Sequence, residues 1–139
     1  MPDSQMIREI EMVALNKETV AVYLLDDDPS ILKATSRLLD SAGWKFEAFT
    51  DPIAFLDQAA KQCPDVAVID IIMPEMNGLE VQTRLRRVSP STRVIVLTAK
   101  DDPLVREAAM NRGASAFFIK GMESDEFLAG VKAAAESST

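Results

Sequence analysis

Three apolar runs in this chain end in charged residues of the kind phosphate chemistry needs. Val20–Leu25 runs into Asp26, Asp27 and Asp28, Val66–Ile69 into Asp70, and Ala116–Ile119 into Lys120. A fourth run, Val94–Leu97, ends in the hydroxyl of Thr98. If these runs are neighbouring parallel strands, their carboxyl ends gather several carboxylates, one hydroxyl and one ammonium at one sheet edge. Two like charges a few ångströms apart repel by up to about 4 kcal/mol at an effective dielectric near 20. Three carboxylates at one site do not stay ionised without a cation. Magnesium answers that need, because it takes a few carboxylate oxygens together with water and phosphate oxygens. Lys120 offers a point charge to Asp70 or to a phosphoryl oxygen. A carboxylate nucleophile, a metal, a hydroxyl and a lysine make a phosphoryl-transfer site, in which the carboxylate forms an acyl phosphate. Singly, each residue has a plainer explanation, since an aspartate after a strand is often a helix cap or a turn former. Their joint position at four strand ends favours the chemistry, with Asp28 left as a cap.

The elements that must position these groups are legible in the hydrophobic pattern. Strands are expected at about 20–25, 45–49, 65–69, 92–97 and 115–119. Three of them read as continuous apolar runs, the mark of strands covered on both faces. Helical periodicity fills about 29–42, 51–62, 78–88, 102–112 and 124–136. Asp28-Pro29 and Asp51-Pro52 are start signals, and Gly43 and Gly113 are stop signals. Five βα units in alternation imply a mostly parallel sheet with helices on both faces. In such sheets functional groups gather beyond the carboxyl ends of the strands.

At 139 residues the chain is read as one domain over 20–136, an N-terminal extension over 1–19, and a tail or linker start at 137–139. Met6, Ile7, Ile10, Val13 and Leu15 space the extension as a short amphipathic helix. The net charge of -7 argues against direct nucleic-acid binding, which needs a basic face. One cysteine, Cys63, permits no internal disulfide. No signal peptide and no membrane-length apolar stretch are read, and a cytoplasmic location is expected. With no histidine, the chain has no Ser-His-Asp or Cys-His pair and no imidazole zinc site.

The segments Val22–Pro29, Asp65–Gly78, Val96–Ala99 and Phe117–Lys120 together resemble the receiver domain of two-component response regulators. The resemblance covers about 20–136, and its opening stretch is most similar to receivers that precede a LuxR-type DNA-binding domain. It implies a flavodoxin-like (βα)5 fold with strand order 2-1-3-4-5. It implies that Asp70 accepts a phosphoryl group from a phosphohistidine on a sensor histidine kinase or phosphotransfer protein. Asp27, Asp70 and the backbone carbonyl of Ile72 would ligate Mg2+ or Mn2+, and Asp26 would act through a metal-bound water. Thr98 would hydrogen-bond the phosphoryl group, Lys120 would pair with it, and Phe117 would be the switch aromatic. The face formed by residues 102–136, the α4-β5-α5 face of such domains, would change shape and bind a partner or a second copy. Control of transcription through an output domain is the implied role.

Three positions depart from the family pattern. Gly121 stands where a proline usually follows the lysine, and glycine does not favour a cis bond. Phe117 has no hydroxyl, so a switch there is expected to act by packing alone. Ile72 and Lys100 line the rim where water would approach an acyl phosphate, and an apolar Ile72 predicts slow self-dephosphorylation. Two enzyme or cofactor readings fare worse. An aspartyl-phosphate phosphatase of the haloacid dehalogenase type needs a second acid two residues beyond the nucleophile, where Ile72 stands. A flavin or dinucleotide module needs a phosphate loop after the first strand, where three aspartates stand. A receiver-like domain that only binds partners, without phosphorylation, is the remaining alternative. The polar end after the fifth helix fits either a removed output domain or a free-standing receiver.

Overall fold

The computed structural model describes residues 21–137, so the extension read at 1–19 lies outside the described residues. Five strands and five helices alternate: β1 Ala21–Leu25, α1 Pro29–Ser41, β2 Lys45–Phe49, α2 Pro52–Gln62, β3 Val66–Ile69, α3 Gly78–Val88, β4 Arg93–Thr98, α4 Pro103–Asn111, β5 Ala116–Ile119 and α5 Ser124–Ser137. The expected elements all form, with ends shifted by a residue or two. Asp102 moves from inside the expected fourth helix to its cap, where its side chain accepts the Leu104 N–H at 3.0 Å. Asp28 caps α1 by accepting from Ser30, and Asp51 caps α2 by accepting from Ile53 and Ala54. In each of these three helices a proline follows the cap, where its missing N–H costs nothing. Gly43 takes φ +80 just past α1, the left-handed conformation that ends a helix without a Cβ clash.

The sheet is parallel throughout, in the order β2-β1-β3-β4-β5. The chain goes outward from β1 to β2, then returns over β1 to form β3, so the topology reverses between β1 and β3. Strands β1, β3 and β4 are the buried ones, as their continuous apolar runs require, while the edge strand β2 is largely exposed.

Alternation along the strands builds two cores. Tyr23, Leu25, Ala67, Ile69, Val94, Val96 and Phe117 pack with residues of α2, α3 and α4, including Phe55, Val81, Leu85 and Ala109. Val22, Leu24, Val66, Val68, Ile95 and Leu97 pack with α1 and α5 through Leu32, Leu39, Phe127 and Val131. Each fully buried side chain of this size contributes about 1.5–3 kcal/mol. Tyr23 packs among aromatic rings, with its ring centroid 5.2 Å from Phe49 and 6.2 Å from Phe55. Among the described residues no helix is long and apolar enough to cross a membrane.

Candidate phosphoryl-transfer site

Register puts the acids side by side. Leu25 pairs with Ile69 at the ends of β1 and β3, so the next residues, Asp26 and Asp70, emerge together at the topological reversal. The Asp70 N–H donates to the Leu25 carbonyl at 2.9 Å, and the Asp26 N–H to the Phe49 carbonyl at 3.2 Å. Asp26 Oδ1 accepts the Asp28 N–H at 2.9 Å, which closes the turn into α1. Asp26 and Asp70 are buried, whereas Asp27 is exposed.

Lys120 arrives from the end of β5, its N–H donating to the Thr98 carbonyl at 2.8 Å. Its Nζ lies 2.8 Å from Asp26 Oδ2 and 3.4 Å from Asp70 Oδ2. The sequence offered Lys120 to Asp70 or to a phosphoryl oxygen; the pair with Asp70 forms, and a shorter one to Asp26 accompanies it. Burial works against the Lys120 charge, yet the hydrogen bond to Asp26 and the charges of Asp70 and Asp26 outweigh it and hold the ammonium pKa above its ordinary value. Asp70 is pushed up to about 6, first by burial and then by the charge of Asp26. Lys120 and the Ile72 N–H, which donates to Asp70 Oδ1 at 3.3 Å, offset only part of that.

Asp26, Asp27 and Asp70 offer carboxylate oxygens that all lie within 4.8 Å of one another. Three carboxylates and one ammonium leave a net charge of -2, the complement of a divalent cation. The donors are hard oxygens and one of them is open to solvent, so the residues fit magnesium or manganese. The backbone of Ile72 reaches the site through its N–H; Ile72 is 55% exposed, and Lys100 is exposed as well.

Gly78 is a site residue whose physical role the sequence did not reveal. Its N–H donates to the Ile71 carbonyl at 2.8 Å, and Asn77 caps α3 immediately before it. A Cβ on Gly78 would lie 2.3 Å from the Asp70 carbonyl oxygen and 2.8 Å from Ile71 Cα. The glycine therefore lets α3 start against the backbone of Asp70 itself. Its place at the end of the Asp70–Gly78 segment was the signal available; the contact was not.

The remaining expected residues fall as follows. The Thr98 side chain is buried at the end of β4, and its carbonyl anchors Lys120. Phe117 pairs with Val96, away from the carboxylates, and is buried in the core on the α2-α3-α4 side. Packing does not act alone there: the Arg106 guanidinium carbon lies over the Phe117 ring, 5.0 Å from its centroid. The peptide bonds of the described residues are all trans, and Gly121 takes φ +91, so a left-handed glycine sets the turn after Lys120. Cys63 is exposed and sits at φ 47 as the residue ending α2, apart from the site.

Comparison with known proteins agrees with this arrangement. The family profile of the response regulator receiver domain matches residues 22–132. The response regulator protein TodT of Pseudomonas putida is 33% identical over 113 residues, covering 81% of this chain and 50% of TodT. The chain thus spans about half the length of the curated relatives it matches. A CheY-like receiver domain protein from Methanospirillum hungatei superposes with a TM-score of 0.81 at 23% identity, over 86% of this chain and 95% of that one. The beryllofluoride-activated NtrC4 receiver domain dimer superposes with a TM-score of 0.81 at 25% identity, over 86% and 98%. With its carboxylates at the ends of β1 and β3, its lysine at the end of β5 and a family match across nearly the whole sheet, the chain belongs to the response regulator receiver domains, the signalling modules of two-component systems.

Proposed function

We propose that Asp70 accepts a phosphoryl group from a phosphohistidine on a sensor histidine kinase or phosphotransfer protein. The observation that carries this reading is the buried Asp70 carboxylate within reach of both a cation-ready acid pair and Lys120. An Asp70 oxygen attacks phosphorus as the phosphorus–nitrogen bond breaks. The imidazole leaves with the electron pair and takes a proton from solvent. Asp26, Asp27, Asp70 and the Ile72 carbonyl would hold magnesium or manganese, which when bound supplies positive charge to the oxygens of the transferred group. Lys120 would release Asp26 and meet a phosphoryl oxygen, and the Thr98 hydroxyl would donate to another. Hydrolysis of the acyl phosphate by water returns the carboxylate and inorganic phosphate.

The readout would be a change in the face formed by α4, β5 and α5, where Leu104 is 77% exposed. The activated dimer of the NtrC4 neighbour supports association of two copies as one consequence. Control of transcription by a further domain fits relatives twice as long as the matched region.

Incubation with acetyl phosphate, with and without magnesium, tests the reading by intact mass. Magnesium-dependent phosphorylation that disappears in Asp70→Asn is expected. Labelling without the metal, or labelling that survives the substitution, would overturn it. Unchanged monomer mass on beryllofluoride treatment would remove the dimer from the proposal.

A further inference from the structure

We propose that Arg106 is the positioning residue of the switch: it holds the Phe117 ring inside the core, and Asp101 holds Arg106. Phe117 has no hydroxyl with which to fix its ring by a hydrogen bond, so its orientation must be set by what covers it. One side of the ring meets the core on the α2-α3-α4 side, and the Arg106 guanidinium lies over it at 5.0 Å from the centroid. That distance is inside the range of a cation–π contact, and the planar guanidinium suits the ring face. The same guanidinium is tied by Nη2 to Asp101 Oδ1 at 3.2 Å. Arg106 is therefore fixed at two points, one on β5 and one on the loop between β4 and α4.

The consequence follows from where Asp101 sits. It lies three residues beyond Thr98 and directly before the α4 cap, Asp102. Movement of Thr98 pulls the loop that carries Asp101, and Asp101 reaches the ring through Arg106. This path runs Thr98, Asp101, Arg106, Phe117, and no part of it needs a hydroxyl on the aromatic. Alone, an ion pair as exposed as Asp101 with Arg106 adds little. Its use here is to choose one rotamer of a long side chain and place its charge over the ring. A half-exposed cation–π contact shifts the balance between ring inside and ring outside by about two- to fivefold.

The effect on phosphorylation rests on the function proposed above; the position of the ring does not. Fluorine NMR on the whole chain labelled with para-fluorophenylalanine reads the ring directly, since there are six phenylalanines and Phe117→Leu identifies one signal by its loss. In Arg106→Met, which keeps apolar cover but removes the charge, the Phe117 signal is expected to move while the other five stay. Asp101→Asn, and added salt on the unmodified chain, are expected to move it the same way by a smaller amount. A Phe117 signal unchanged in Arg106→Met, or insensitive to both salt and Asp101→Asn, would overturn the proposal. Beryllofluoride titration with magnesium provides the second arm. In the proposed switch the ring is held inward as Thr98 is drawn to the phosphoryl group, so the half-saturating concentration is expected to rise about two- to fivefold in Arg106→Met, and an unchanged value would overturn the coupling. If the unmodified chain does not bind beryllofluoride, the phosphoryl-acceptor reading fails while the ring signal still decides the role of Arg106.

Discussion

The Lys120 ammonium stands closer to Asp26 than to Asp70, at 2.8 against 3.4 Å. One cation thus serves two buried carboxylates at the ends of β1 and β3, and the residue that would react has the longer contact. This leaves Asp70 under-compensated, in keeping with a carboxyl pushed up to about 6 by burial and by Asp26.

Asp70→Asn is expected to stabilise the metal-free chain at pH 7.5. The folded-state value of about 6 lies above the ordinary 3.8. Asp70 therefore contributes stability below pH 3.8 that is lost as the pH rises through 6. Above that pH the ionised form destabilises the fold by about 1–3 kcal/mol. Urea unfolding from pH 4 to 8 checks this. A variant whose advantage does not grow with pH over that interval would contradict it.

Lys120→Met is expected to destabilise the chain at pH 8 by about 2–4 kcal/mol, because it leaves Asp26 and Asp70 together without their cation. The deficit should shrink below pH 6 as Asp70 takes up a proton. Equal losses at pH 8 and pH 5 would show that the ammonium stabilises through packing of its stem.

Magnesium is expected to raise the melting temperature, and the gain should fall as the pH drops below 6 because protons compete for Asp70. Asp27→Asn is the clean test, since Asp27 is exposed and its loss leaves the core intact. In Asp27→Asn the apparent magnesium affinity read from thermal shifts should weaken by at least about tenfold, the loss of one charged ligand to the cation being worth about 1.4 kcal/mol or more. Identical titrations for both proteins would remove Asp27 from the metal site.

Gly78→Ala and Gly121→Ala are expected to differ. At Gly78 the new methyl meets the Asp70 carbonyl at 2.3 Å, so backbone must move and the cost should exceed about 2 kcal/mol. At Gly121 nothing lies within 4 Å of the added carbon, and only the φ of +91 opposes it, at about 1 kcal/mol. Paired urea curves, together with phosphorylation rates by acetyl phosphate, decide this. Equal stabilities would show that α3 yields at its start.

The acyl phosphate is expected to persist for minutes or longer, because the exposed Ile72 side chain has no group to orient an attacking water. Ile72→Asn should shorten its lifetime several-fold without changing the magnesium requirement. Phosphate release followed after removal of acetyl phosphate measures both.

Much of this was written in the sequence, and the reason is locality. Asp28-Pro29 and Asp51-Pro52 announce helix starts because a cap and its acceptor are two or three residues apart. Apolar runs announce β1, β3 and β4 because burial on both faces leaves no polar position. The acids and the lysine could be assigned to one edge because parallel strands alternating with helices all end on the same side. Tertiary structure alone decided which residues meet across elements distant in the chain. The sequence offered Lys120 to Asp70 or to a phosphoryl oxygen; in the folded chain its ammonium lies closer to Asp26 than to Asp70. Phe117 read as a ring held by packing; α4 laid Arg106 across it, and a loop carboxylate fixed Arg106 there. Gly78 read as the close of a motif and the start of the third helix; only the structure set that start against the carbonyl of Asp70. Periodicity and caps are properties of neighbours along the chain, whereas a contact of a few ångströms depends on how far each strand, turn and helix carries its side chains through space.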